Sequence, residues 1–196
     1  LIWGVTAAYA SAVLLVKLKG LWRMGYPLLL AAVLLGGSIY PYFGLLTKTN
    51  QFQPVDGWTL DGSAFLGRSS PDDLAAARWL QTAEMGVIAE AVGGQYSSYA
   101  RMATFSGLPN VLGWPGHESQ WRGGSKEMGT RQDDLARLYR TTNWDEAQDI
   151  LEQYAIRYVI IGGLERSTYK VSEAKFQSHL NKAFEAGSVV IYEVQP

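Results

Sequence analysis

The residues best suited to chemistry lie in one stretch, residues 90–124, which reads EAVGGQYSSYARMATFSGLPNVLGWPGHESQWRGG. It contains one of the two histidines of the protein, two tryptophans, two arginines, two glutamates and seven glycines. Such a stretch is too polar for a core and too aromatic for a solvated linker. Long loops of this composition often form binding surfaces on a rigid scaffold. The alternative is a structural loop whose aromatic side chains pack on a sheet or on the membrane surface, and the sequence leaves both open.

His117 and Glu118 are neighbours that could act as an acid–base pair or supply two ligands to a metal ion. Adjacent residues of an extended loop point apart, however, and no second histidine lies nearby to complete an HExxH-like set. We therefore predict a polar structural or substrate contact here, and no metal site. The chain has no cysteine, which excludes thiolate catalysis and cysteine-ligated metal sites.

Three arginines in and near this stretch, Arg101, Arg122 and Arg131, could hold an anionic head group, because a guanidinium fork matches phosphate oxygens. The glutamates with which they could instead pair are Glu90, Glu118 and Glu127. This second interpretation is the more economical one. Neither a GxGxxG nor a GxxxxGK[ST] phosphate loop is present, and no GxSxG motif points to a serine hydrolase.

The elements that must position these residues alternate between helices and strands. Ser70 and Pro71 open a helix that continues to about residue 83, because serine caps helices and proline suits their first turn. The further predicted helices cover residues 96–105, 133–140, 143–154 and 172–186, and the predicted strands cover residues 87–92, 157–161 and 189–194. Strands alternating with helices of this length predict a layered α/β domain with a mostly parallel sheet.

Two runs without charge precede this domain, residues 1–16 and 24–46. About 20 apolar residues cross the hydrocarbon core of a bilayer, so residues 1–46 are predicted to form two transmembrane helices. The loop between them, residues 17–23, carries three cations and no anion, which favours a cytoplasmic position. The alternative is a pair of buried helices in a soluble protein. The first run is slightly short and begins at Leu1, so we interpret the chain as a piece of a longer protein.

The predicted organisation has an irregular junction over residues 47–70 and an extracytoplasmic α/β domain over residues 71–196. The domain lies outside because the second helix runs outward from its cytoplasmic basic end. This places the protein in the cell membrane as a multi-pass protein. With 17 basic and 18 acidic residues, the chain has a net charge of -1 and shows no electrostatic case for nucleic-acid binding. No cofactor is predicted.

The same loop carries a family resemblance, in the pattern Glu90-Ala91-x-Gly93…Tyr96…Arg101…Gly107-Leu108-Pro109…Val111…Gly113-Trp114…His117-Glu118…Trp121-Arg122-Gly123. Two later stretches share it, Arg131…Asp134…Leu138-Tyr139 and Tyr158-Val159…Gly162…Leu164-Glu165-Arg166…Tyr169. Over most of residues 57–194 the chain resembles the C-terminal region of the large YYY-type membrane proteins of bacteria and archaea. The resemblance implies a relative of the C-type membrane glycosyltransferases, which take sugars from polyprenyl-phosphate carriers. Oligosaccharyltransferase catalytic subunits are a distant analogy.

The resemblance also implies which roles this chain would have. The acidic residue and metal site of such transferases belong to a first outer loop that this chain lacks, so this piece alone is expected to be inactive, with its catalytic residues unassigned. The residues expected to contact substrate are Arg101, His117, Glu118, Trp121 and Arg122. Arginines would hold phosphate, and aromatic faces would stack on sugar CH groups.

The partners expected are the lipid bilayer, a polyprenyl-phosphate sugar, and the remaining transmembrane helices or other membrane subunits. The alternative function is a non-catalytic accessory or structural subunit of a larger membrane complex. In the predicted second span, Gly36, Gly37 and Ser38 offer small residues for close helix packing, which either function would use.

Overall fold

The computed structural model of the protein describes residues 1–54 and 57–195. The chain divides into two compact units, Leu1–Leu60 and Asp61–Pro196. Residues 55 and 56 of the predicted junction, and residue 196 of the predicted domain, lie outside the described residues. The predicted boundaries at residues 46 and 70 stay a prediction.

The first unit contains two apolar helices, α1 (Ile2–Lys17) and α2 (Leu21–Lys48), and neither of them has a buried residue. Within the described part of the chain, α2 is the one helix long and apolar enough to cross a membrane, over Trp22–Lys48. The 16 residues of α1 extend about 24 Å, which is less than the roughly 30 Å of a hydrocarbon core. The prediction of two transmembrane helices is therefore wrong, and the structure has one candidate span.

The second unit alternates short helices with four strands among its described residues. Its helices are α3 (Ser63–Ser69), α4 (Pro71–Thr82), α5 (Arg101–Ser106), α6 (Pro115–Trp121), α7 (Arg131–Arg140), α8 (Trp144–Gln153), α9 (Gly163–Tyr169) and α10 (Ala174–His179). Its strands are β1 (Val87–Ala89), β2 (Ile156–Ile161), β3 (Asn181–Ala186) and β4 (Val189–Glu193).

The four strands form a mixed sheet in the order β1-β2-β4-β3. The pair β1/β2 is parallel, whereas β2/β4 and β3/β4 are antiparallel. The predicted mostly parallel sheet is therefore wrong. The cause lies in residues 172–186, which were predicted as one helix but form the short α10 followed by the strand β3. Gly187 and Ser188 then close a hairpin, with Gly187 at a φ of +52° that suits a tight turn.

The edge strand β1 is extended on its outer side by the backbone of the loop that follows it. The amide of Ile88 donates to the carbonyl of Pro109 at 2.8 Å, and the amide of Val111 donates to the carbonyl of Ile88 at 3.2 Å. Asn110 thereby forms a parallel bridge with Ile88. The middle of residues 90–124 is consequently attached to the sheet.

The sheet is buried on both faces because alternate residues of β2 enter two separate apolar clusters. Tyr158 and Ile160 pack with side chains of α4 and α5, while Val159 and Ile161 pack with side chains of α7, α8 and α10. Helices therefore cover both sides of the sheet. The carboxyl ends of the parallel pair β1/β2 lead directly into Glu90 and Gly162, where the polar residues of the domain concentrate.

Tyr139 ties the two parallel strands to the helix layer. Its buried hydroxyl lies 2.9 Å from the carbonyl oxygens of both Ala89 and Ile160, and its ring stacks on Tyr169 at 4.9 Å.

Tyr139→Phe is expected to lower the free energy of unfolding by about 1–2 kcal/mol, because these carbonyls lose a buried donor. Denaturant titration followed by circular dichroism measures this. The control is Tyr96→Phe on the exposed loop, which should change it by less than about 0.5 kcal/mol. Equal midpoints for both variants would contradict the assignment.

Candidate functional site

Helix α6 organises the chemistry-bearing loop. It starts at Pro115, where proline is tolerated because the first turn needs no amide donor, and it runs to Trp121. His117 and Glu118 therefore lie on a helix, and the expectation that they sit in an extended loop is wrong. On a helix, residues three, four or seven apart share a face. Trp114, His117 and Trp121 thus follow one face of α6, and Glu118 and Arg122 follow the next.

The first of these surfaces is an aromatic face, which we define as Tyr96, Trp114, His117 and Trp121. The His117 ring meets Tyr96 edge-on at 4.7 Å and Trp114 edge-on at 5.2 Å. The Trp114 indole is held by a hydrogen bond from its Nε1 to the carbonyl of Tyr99 at 2.8 Å. Tyr96 is 81% exposed and Trp121 80% exposed. The loop therefore presents supported aromatic rings to solvent, which is uncommon outside binding surfaces.

The backbone around Tyr96 explains why the predicted helix over residues 96–105 is shorter in the structure. Tyr96 has a φ of +57° and Ala100 a φ of +59°, both in the left-handed region that a right-handed helix cannot use. Helix α5 consequently begins only at Arg101. The turn that results places Tyr96 against α6.

The second surface is a polar pocket of about 430 Å³, which we define by Asn110, Glu118, Arg122, Glu127 and Arg131. Arg122 is bracketed by two carboxylates: its Nε donates to Glu118 Oε2 at 2.6 Å and its Nη1 to Glu127 Oε2 at 3.1 Å. The hydrogen bond to Glu118, together with that to Glu127, raises the pKa of Arg122 above its ordinary value. Arg131 donates to the backbone carbonyl of Glu127. The paired interpretation of Arg122 is thus the one that the geometry supports.

Arg101 lies in a different environment from the other residues predicted to contact substrate, because its side chain is only 4% exposed. Those other residues are His117, Glu118, Trp121 and Arg122. Its two terminal nitrogens each donate to a different oxygen of Glu165 at 3.0 Å, and Nη2 also lies 2.9 Å from Asp73 Oδ1. Burial alone would lower the pKa of Arg101, but the charge of Glu165 overrides it and raises that pKa. Arg101, Glu165, Asp73 and Glu90 form a buried ionic cluster. A direct contact of Arg101 with substrate stays a prediction.

Glu90 connects the buried ionic cluster to the polar pocket. Its carboxylate accepts hydrogen bonds from the amides of Met102 and Ala103 at 2.9 and 3.0 Å, and from Asn110 Nδ2 at 3.2 Å. Burial raises the pKa of Glu90 to about 7, although the amides of Ala103 and Met102 act in the opposite direction. Glu90 therefore fixes both the start of α5 and the orientation of the Asn110 side chain.

Sequence analysis did not identify Glu165 and Asp73 as members of this cluster. Glu165 lies in the first turn of α9, where its carboxylate also accepts the amides of Ala91 at 2.9 Å and Gly162 at 2.8 Å. The available signal was an acidic residue in the first helical turn after a Gly-Gly pair that follows a strand. Within residues 1–54 and 57–195, no group of three or more potential ligands is arranged to hold a metal ion.

No protein-family model matches the chain, and no curated protein matches it by sequence. Membership of the YYY-type family therefore stays a prediction. Among solved structures, the chain is similar to the C-terminal globular domain of an oligosaccharyltransferase from Archaeoglobus fulgidus. The identity is 13% and the TM-score 0.41, over 63% of this chain and 97% of that domain. At this identity and TM-score, the likeness assigns neither a function nor any residue role to this chain.

Proposed function

We propose that this chain is the membrane anchor and outer domain of a glycosyltransferase-like integral membrane protein, and that α6 contacts a sugar carried on a polyprenyl phosphate. The observation that carries the proposal is the aromatic face, in which Tyr96 and Trp121 are exposed and Trp114 and His117 are half-buried. Helix α6 carries this face and also Glu118 of the polar pocket. A pyranose ring has apolar CH faces and a rim of hydroxyl groups. Adjacent aromatic and polar surfaces complement both parts of such a ring.

Within this proposal the residues have distinct roles. Trp121 and His117 provide ring surfaces for the CH face of the sugar. Glu118 and Arg122, on the neighbouring face of α6, provide an acceptor and donors for its hydroxyl groups. Arg101 is a positioning residue, since its fork is bound by Glu165 and it forms the first residue of α5.

The membrane part of the proposal rests on α2. None of its residues is buried, and it is apolar over a length sufficient to cross a bilayer. Lys17, Lys19 and Arg23 lie at its N-terminal end, which favours the cytoplasmic side for that end. The domain would then be extracytoplasmic, on the membrane face where polyprenyl-phosphate sugars serve as donors.

Trp121→Ala is expected to weaken binding of undecaprenyl phosphate glucose by about tenfold, because an exposed stacking surface is lost without disturbing the core. Titration of the lipid into the full chain in nanodiscs, followed by native mass spectrometry, measures this. The matched control is Phe65→Ala, which removes another exposed aromatic ring. The Phe65 side chain is 64% exposed and lies on α3, which does not carry the aromatic face. That control should bind as the unaltered protein does.

The same titration distinguishes the proposed sugar-binding function from the alternative of a non-catalytic accessory subunit. An unaltered chain that does not retain undecaprenyl phosphate glucose above the background of empty nanodiscs would favour the non-catalytic accessory subunit. Equal binding by the unaltered chain and Trp121→Ala would instead show that the lipid binds elsewhere than on the aromatic face.

A further inference from the structure

We infer that the polar pocket beside α6 binds an uncharged sugar ring through its hydroxyl groups and does not bind phosphate. This inference rests on the proposed function and specifies which part of a phosphate-linked sugar the pocket takes. It departs from the expectation that the arginines of this loop hold the phosphate. The reasons are the charge balance of the pocket and the position of two acceptor oxygens within it.

The charges of the pocket cancel. Its two arginines, Arg122 and Arg131, are matched by two glutamates, Glu118 and Glu127. Arg122 donates to both carboxylates, and Arg131 donates to the backbone carbonyl of Glu127. Phosphate sites need cationic or amide donors that point at the anion without a competing carboxylate. A phosphate entering this pocket would have to displace Glu118 or Glu127 from Arg122.

Two acceptor oxygens converge on one open position next to Gly113. A methyl group at the Cβ position of Gly113 would lie 3.7 Å from Glu118 Oε1 and 3.9 Å from Asn110 Oδ1. Asn110 donates its Nδ2 to Glu90, so this hydrogen bond orients the amide and assigns Oδ1 to the side of Gly113. Glu118 uses its other oxygen, Oε2, for Arg122. A group placed here meets two acceptors and must therefore donate hydrogen bonds.

A sugar hydroxyl meets this requirement, whereas a phosphodiester does not. A hydroxyl donates one hydrogen bond and accepts others, so it can serve Glu118 or Asn110 while accepting from Arg122 or Arg131. The oxygens of the phosphodiester that links the proposed sugar to its lipid accept only, and they would face two further acceptors. The absence of a side chain at Gly113 leaves the required space open.

Gly113→Ala tests this directly. Its φ is not in the left-handed region and its Cβ would make ordinary contacts, so the variant should fold normally while its methyl fills the position between the two acceptors. We expect binding of methyl α-glucoside to the full chain in nanodiscs to weaken about tenfold, as measured by saturation-transfer NMR. The matched control is Gly163→Ala on α9, where the added methyl would meet nothing within 4 Å. Circular dichroism spectra should agree for all three proteins.

The exclusion of anions is tested with glucuronate and dimethyl phosphate, an acceptor-only phosphodiester, in the same NMR experiment. We expect at least about tenfold weaker binding of both than of methyl α-glucoside. The inference is overturned if either anion binds as well as the neutral glucoside, or if Gly113→Ala binds the glucoside like the unaltered protein. The proposed function is tested separately by Trp121→Ala. If that variant weakens binding of undecaprenyl phosphate glucose while the pocket fails either of these tests, the proposed function stands and only the assignment of the pocket is wrong.

Discussion

Replacing Arg101 by methionine is expected to lower the free energy of unfolding by about 3–5 kcal/mol, the range found when one partner of a buried ion pair is removed. Glu165 is fully buried, and both of its oxygens bind the Arg101 guanidinium. Without Arg101, the carboxylates of Glu165 and Asp73 would be left without their counter-charge. Methionine keeps most of the apolar stem, so the loss reports mainly on the charge. Chemical denaturation of the domain measures it.

The control for Arg101 is the double variant Arg101→Met with Glu165→Gln. Glutamine removes the charge of Glu165 but keeps a side-chain oxygen for the amides of Ala91 and Gly162. Because this double variant removes the two charges together, it should be more stable than Arg101→Met alone by at least about 1 kcal/mol. Arg101→Lys should lie between the unaltered protein and Arg101→Met, because an ammonium cannot bind both oxygens of Glu165 in a fork. A loss below about 1 kcal/mol for Arg101→Met would contradict the cluster as described.

Glu90 should make the stability of the domain fall as the pH rises from about 4.5 to about 7. Burial raises the pKa of Glu90 to about 7 in the folded protein, against an ordinary value of 4.5. The folded state therefore holds this proton more tightly than the unfolded state over that interval. Linkage then makes unfolding easier with rising pH, with a total effect of about 3 kcal/mol that is complete above the folded pKa.

Glu90→Gln isolates this contribution from other titrating groups. Glutamine keeps one oxygen to accept an amide hydrogen but has no charge to lose, so the pH-dependent decrease assigned to Glu90 should disappear. The measurement is the free energy of unfolding at pH 5, 6, 7 and 8 for the unaltered protein and the variant. Parallel pH profiles for the two proteins would show that Glu90 does not titrate in this range.

Elements that are specified by local signals were predicted well from the sequence. Pro71 opens α4 at the predicted position and α4 ends at Thr82, although the Ser70 side chain makes no capping hydrogen bond. Asn143 caps α8 through a hydrogen bond that its side chain accepts from the amide of Asp145 at 3.0 Å. The strand predicted over residues 157–161 is β2, extended by one residue. In each case, a proline, a cap or an apolar run defines the element without help from distant residues.

The sheet could not be predicted in the same way, because residues 172–186 satisfy two patterns. Phe176, Leu180, Ala183 and Phe184 follow a helical spacing. The chain nevertheless turns into β3 after Leu180, since β3 pairs with β4 through a hairpin at Gly187. A residue outside the hairpin stabilises its turn, because the amide of Ser188 donates a hydrogen bond to Asp72 Oδ2 at 2.8 Å. A contact between residues 116 positions apart is invisible to a local pattern.

The candidate site shows the same division. The composition of residues 90–124 identified the loop, and the spacing of Glu118 and Arg122 suffices to place them side by side once α6 is known. The helix itself was missed because Pro115 and Gly116 break most regular patterns. The partner of Arg101 is Glu165, 64 residues away, and only the tertiary fold brings those two together.

The bridge between Ile88 and Asn110 closes the segment between them into a loop of its own, ahead of the residues that lead to α6. The entropic cost of closing a loop grows only with the logarithm of its length, so the length of this segment adds little to the cost of its closure. The amides of Ile88 and Val111, bound across this bridge, are expected to be among the slowly exchanging amides of the domain in hydrogen-exchange measurements. Fraying of the segment before Pro109 would nevertheless be felt at the start of α6, because the Trp114 indole is bonded to the carbonyl of Tyr99.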